Sequence, residues 1–204
     1  VRPLAAVALA ALALAVAVAP AVAQDVTEPG SGVKFAARKG DLSLLGVGLR
    51  TRTILQVKVY AIGLYVADAA LAGPLAAHKA APAGPALYRD LVRGDFPKEL
   101  HLKFVRDVAQ SSIQEAMRES LAGTAEKSRL HAFAGYFPEI KAGQECVLRW
   151  APGGTLETLM AGQPKPPIAD REFAAAVFGV WLGEKPVQED IKKGLVSRAP
   201  ALIR

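Results

Sequence analysis

Between Asp41 and Val66 the chain reads almost without interruption as β-structure, rich in Val, Ile, Leu, Thr and Tyr, and this run constrains everything else. It carries Gly46-Val47-Gly48-Leu49-Arg50 and, ten residues on, Tyr60-Ala61-Ile62-Gly63-Leu64-Tyr65. An arginine inside an apolar strand is costly unless something pairs with it. Either a carboxylate such as Asp107 or Glu145 neutralises Arg50, or an acidic ligand does. Gly46, Gly48 and Gly63 mark bulges or places where another element approaches the backbone closely.

Within the run, Leu55, Val57, Val59, Ala61 and Tyr65 are apolar throughout. The alternate positions begin polar at Gln56 and Lys58 and turn apolar at Ile62 and Leu64. The pattern predicts a strand over 53–66 with one face always covered and the other covered only at its far end. Strands are also expected at 33–39, 41–49, 99–105, 145–151 and 155–161, the last two joined by the turn Pro152-Gly153-Gly154. Residues 69–94 are rich in Ala, Pro and Gly and predict short helices and loops. Helices are expected over 108–121, over 171–182 behind an Asp170 cap, and over a short stretch between Pro186 and Gly194. Strands, a helix, a hairpin and then helices predict an α+β fold on an antiparallel sheet.

The first 23 residues read as an address. Arg2 precedes an apolar run from Leu4 to Val18, and Ala21-Val22-Ala23 offers a small-residue cleavage site. Export from a bacterium with this Ala-heavy composition would deliver the chain to the periplasm, with no membrane span left after cleavage. Residues 24–32 form a flexible lead, and 33–204 form one domain, long enough for a good core. The 51% hydrophobic content is inflated by the leader, and the net charge of +6 loses only Arg2 with it, leaving +5. The basic residues are scattered and not interleaved with aromatics, which argues against nucleic acid as a partner.

Cofactor and metal chemistry find no footing. His78, His101 and His131 are far apart, and the single cysteine, Cys146, lies in an alternating apolar segment as a buried thiol would. Gly46-Val47-Gly48 is followed by β-structure and lacks the third glycine of a dinucleotide fingerprint. No metal and no cofactor is expected.

Four segments in order resemble the chalcone isomerase superfamily. They are Gly46–Arg50, Val59–Tyr65, Phe104-Val105-Arg106-Asp107-Val108, and Phe173 through Phe178-Gly179-Val180-Trp181-Leu182-Gly183-Glu184-Lys185-Pro186. The exported bacterial chalcone isomerase-like proteins are more similar still. The resemblance implies an open-faced β-sandwich, a large antiparallel sheet covered by a layer of helices. Of the groups that catalyse ring closure in the plant enzymes, it carries over only the arginine, at Arg50. Tyr60 stands at the threonine position, no Tyr or Asn occurs between Lys103 and Ser112, and the last hydroxyl position falls near Val180. The non-catalytic, fatty-acid-binding relatives keep the arginine and add a tyrosine, as Arg50 and Tyr60 do.

The resemblance therefore implies a small hydrophobic carboxylate ligand held by Arg50 and Tyr60. Ile62, Phe104, Met117, Phe178 and Trp181 would line an apolar cleft for its chain. Two other readings stand beside it. One is an intramolecular lyase with altered catalytic groups, Arg50 steadying an oxyanion and Tyr60 acting as acid. The other is an envelope interaction module with a vestigial cleft. The oligomeric state is not legible. Arg50 and Tyr60 would lie about 33 Å apart in one unbroken strand. Their cooperation requires a hairpin turn near Arg52 to Gln56, where no Gly, Pro or Asn marks one.

Overall fold

In the computed structural model, residues 24–123 and 126–203 are described; the address segment 1–23 lies outside them. The strands are β1 (Val26–Thr27), β2 (Lys34–Phe35), β3 (Arg38–Lys39), β4 (Leu42–Arg52), β5 (Val57–Ala67), β6 (Lys98–Phe104), β7 (Glu145–Ala151), β8 (Thr155–Met160), β9 (Gln163–Pro164) and β10 (Ile168–Ala169). The helices are α1 (Asp68–Ala72), α2 (Pro85–Arg93), α3 (Gln110–Ser120), α4 (Lys127–Ala134), α5 (Arg171–Leu182), α6 (Glu189–Gly194) and α7 (Ala199–Leu202), with a 3₁₀ turn at Pro74–His78. Among the described residues no helix is long and apolar enough to cross a membrane.

β3 to β8 form an antiparallel meander in chain order, with β10 and β9 both pairing β8. Period-two alternation then sorts the side chains. Tyr60, Ile62, Leu64 and Val66 of β5, Leu100, Leu102 and Phe104 of β6, and Cys146, Leu148 and Trp150 of β7 belong to one core with the helices. The α5 helix is apolar nearly all round, as a helix sandwiched between sheet and outer helices must be. Asp170 caps it by accepting from the Phe173 amide at 3.0 Å.

The opposite sheet face carries a smaller cluster of Phe35, Leu44, Ala61 and Tyr65. Around it the charges are paired. Glu99 is almost wholly buried between Lys39 and Arg149, and His101 bonds Glu145. Residues 24–32, expected as a flexible lead, are folded: β1 pairs β2, and the buried Glu28 carboxylate accepts from the Gly30 and Ser31 amides at 3.0 and 2.7 Å.

The long run resolves differently from its pattern. The expected strand over 53–66 opens with a turn: β4 extends to Arg52, Thr53–Gln56 turn, and β5 begins only at Val57. Leu55, counted with the covered face, stands at the tip and is 85% exposed. Thr53 and Gln56 take positive φ, 64° and 52°, which supplies the reversal that Gly or Asn would usually provide.

Candidate functional site

The hairpin brings the two candidate residues face to face. Arg50 and Tyr60 are direct partners in the β4–β5 register, so their side chains leave the same face of the sheet. A register shift between Arg50 and Thr51 locally twists β4 there. Phe104 of β6 is the next partner across, and its ring meets the Tyr60 ring edge-on at 5.4 Å.

The α5 and α6 segments close over the pair. Trp181 Nε1 donates to the Tyr60 hydroxyl at 3.0 Å. Arg50 Nη1 donates to the Val187 carbonyl at 3.1 Å and to Gln188 Oε1 at 3.3 Å. The Gln188 amide in turn accepts from Thr51 N and donates to Leu49 O. These contacts are possible because α6 lies directly on β4, where Gly48 leaves room for Ile191 and Gly46 for the Gly194 carbonyl.

Asp107 and Glu145, the carboxylates weighed as partners for Arg50, are engaged elsewhere. Asp107 accepts from Lys141 and the Ala142 amide, and Glu145 from His101 and Lys103. Among the described residues Arg50 has no carboxylate partner; the acceptors it finds are neutral. The Tyr60 phenol is pushed up to about 12 by burial, against the pull of the Trp181 bond and the Arg50 charge. It is a neutral hydrogen-bonding group at physiological pH. Trp181 uses one of its lone pairs, and its own proton is free to be donated.

Ile62, Phe104, Met117, Phe178 and Trp181 all fall in the one core, none more than 9% exposed. Phe104 and Trp181 touch Tyr60 directly, Phe178 packs on Trp150, and all five are packed core side chains. Open volume lies on the far side of α5, in a cleft of about 1540 Å³ between α2, α5 and α6. Tyr88, Val92, Ala176, Val180 and Val187 supply apolar lining, and Lys192 stands on its wall. Val187 joins the two places: its residue lines the cleft while its carbonyl holds Arg50. Sequence reasoning missed Val187, Gln188 and this cleft, because short helical segments after Pro186 give no sign of what they cover.

The profile of the chalcone isomerase-like family matches residues 30–197. The chain belongs to the chalcone isomerase-like family. Among curated proteins it is similar to Fatty-acid-binding protein 2 of Arabidopsis thaliana, 27% identical over 205 aligned positions. That alignment takes in 87% of this chain but only 51% of the relative, so the chain spans about half its length. It is equally similar to a chalcone–flavanone isomerase of Phaseolus vulgaris, 27% identical over 182 positions, covering 78% of this chain and 82% of the enzyme. A crystal structure of an Arabidopsis thaliana fatty-acid-binding protein superposes with a TM-score of 0.75 at 22% identity, over 88% of this chain and 99% of the other. That likeness establishes the fold, and the α+β, helix-covered antiparallel sheet expected from the sequence is the one found.

Cys146 is fully buried, and burial pushes its thiol up to about 12. A thiol so protonated is no nucleophile. Among the described residues no group of three His, Cys, Asp or Glu side chains is placed to hold a metal ion.

Proposed function

We propose that this protein binds a hydrophobic carboxylic acid, a fatty acid by class, and releases it unchanged. The observation that carries the reading is a half-buried guanidinium with only neutral acceptors, set directly across the ladder from a neutral phenol. Guanidinium offers a two-pronged charged donor to a carboxylate, and the phenol adds a third hydrogen bond. The acid displaces the weak Arg50–Gln188 contact and keeps the Val187 carbonyl as a fixed stop. Its chain then runs past Val187 and Val180 into the cleft, whose volume exceeds the roughly 300–1,000 Å³ of ordinary small-molecule pockets.

The isomerase reading draws on the relatives, one of which is named as a chalcone–flavanone isomerase. Against it stands Tyr60: a general acid works best with a pKa near the operating pH, and this phenol lies near 12. Val180, near which the last hydroxyl position falls, has nothing to donate. The periplasm is the proposed location, resting on the leader-like residues 1–23.

Native mass spectrometry of the purified protein beside Arg50→Ala tests the reading. We expect a co-purifying acid of fatty-acid mass in the wild type and its loss in the variant. Bare protein in both, together with Arg50-dependent consumption of a chalcone above the spontaneous rate, would replace binding with catalysis.

A further inference from the structure

The turn that joins β4 to β5 breaks two rules at once. It holds left-handed backbone at Thr53 and Gln56 without Gly or Asn, and it puts Ile54 and Leu55 at its apex, 98% and 85% exposed. They are the large hydrophobic side chains left exposed among the described residues. Rules broken together at one place mark a functional rather than a folding requirement.

The hairpin also outruns its neighbour. β6 pairs β5 only from Tyr60 onward, and one further bond, Val105 N to Val59 O, ends the support on that side. The last residues of β4, the first of β5 and the turn between them therefore project from the sheet. Arg52 and Lys58 flank the apex and are exposed. Between Asp41 and Asp68 the chain has no acidic residue. The acidic groups on the elements beside it are Glu189 and Asp190, in the first turn of α6 next to Thr51 and facing Lys192 and Lys193 in its last turn, and Asp107 just beyond β6, which Lys141 neutralises; none lies on the turn itself.

An apolar apex with a cationic collar fits one kind of partner. We propose that the β4–β5 tip docks on an anionic lipid surface, Ile54 and Leu55 entering the acyl boundary while Arg52 and Lys58 meet the headgroups. Amphipathic elements that lie on membranes bury their apolar groups about 5–10 Å deep. Four residues of extended chain span roughly 13 Å. A seated tip thus holds Arg50 and Tyr60 just above the headgroup layer, where an acid leaving or entering the bilayer presents its carboxylate first. The delivery role rests on the acid-binding reading; the docking does not.

The full chain also contains the apolar residues 4–18, so the test reads the tip locally. Leu55→Cys carries an environment-sensitive dye, with Cys146 buried and unreactive, and Pro152→Cys, in the exposed β7–β8 turn at the opposite end of the sheet, serves as a control. Vesicles of phosphatidylcholine mixed with phosphatidylglycerol are expected to shift the emission at position 55 and leave position 152 unchanged. Adding Ile54→Ser, or Arg52→Gln with Lys58→Gln, is expected to weaken the response on the order of tenfold. Sedimentation with vesicles and no change at position 55 would overturn the proposal. So would an equal shift on phosphatidylcholine alone, or a shift that follows protein concentration without lipid, which would make the tip a contact between copies. An unchanged tip shift in a protein that binds no acid would sink the acid reading and keep the docking.

Discussion

Lys98 is the residue whose replacement should stabilise this protein most. It opens β6 facing the helices and is fully buried, with Nζ 4.0 Å from the Trp150 ring centroid, 4.7 Å from Phe96 and 5.3 Å from Phe178. Its ammonium donates to Gly94 O at the end of α2 at 2.7 Å, and no carboxylate lies in salt-bridge contact with it among the described residues. Burial lowers its pKa from 10.5 to about 7, with the nearby Asp95 pulling the other way. Each tenfold change in proton affinity is about 1.4 kcal/mol, so confining the charged amine costs about 5 kcal/mol at pH 6. That cost is already net of the ring contacts and of the Gly94 bond to the charged amine. Lys98→Met keeps the volume and drops the charge, gives up about 1 kcal/mol for the amine bond to Gly94 O, and should therefore gain about 4 kcal/mol at pH 6. Because the folded pKa lies below the unfolded one, the unfolded chain binds more protons between pH 7 and 10.5, and wild-type stability rises with pH across that window. From pH 7 to 8.5 the rise is about 2 kcal/mol, and the variant should lack it. Urea unfolding of both proteins at pH 6, 7, 8 and 8.5 measures the difference, in which the shared titrations of His101 and Cys146 cancel. A difference that does not change with pH, or a variant less stable at pH 6, would refute the reasoning.

Tyr60→Phe removes one neutral donor from the site and should weaken fatty-acid binding about fivefold to tenfold by calorimetry, with the fold intact. Gly46→Ala would put a Cβ 2.1 Å from the Gly194 carbonyl and 2.6 Å from the Leu195 backbone. Backbone cannot yield cheaply, so a loss of about 3 kcal/mol in urea unfolding is expected, α6 lifting from β4. Cys146, buried and held protonated, should react with a thiol reagent only at the rate of global unfolding. Rapid modification of the native protein would contradict its place in the core.

The sheet was legible because alternation is a strong signal: 145–151, the Pro152–Gly154 turn and 155 onward appear as expected, and Asp170 caps α5. The site was legible in part. Arg50 and Tyr60 stood out by chemistry, but their pairing depends on a turn built from Thr, Ile, Leu and Gln, whose left-handed φ values no composition announces. The residues expected to line a cleft are apolar for packing instead. Whether a Phe fills space or borders it depends on the distance between layers, which one sequence does not encode locally. Helix α4 at Lys127–Ala134 and the fold of residues 24–32 were missed for a related reason: short, weakly patterned segments take their structure from what they pack on.

The contact of the C-terminal segment with β4 has a consequence for solubility. β3 pairs only the first two residues of β4, so most of an 11-residue strand presents outward-facing amides and carbonyls. Gln188 imitates a neighbouring strand by bonding both Leu49 O and Thr51 N, and Arg198 takes the Leu45 carbonyl through its backbone and the Leu44 carbonyl through its guanidinium. The last helices therefore serve as a sheath over an edge that would otherwise template pairing with another chain. A chain cut before Pro186 would keep the whole sheet and lose that sheath, and would end in aggregates rather than in a looser monomer.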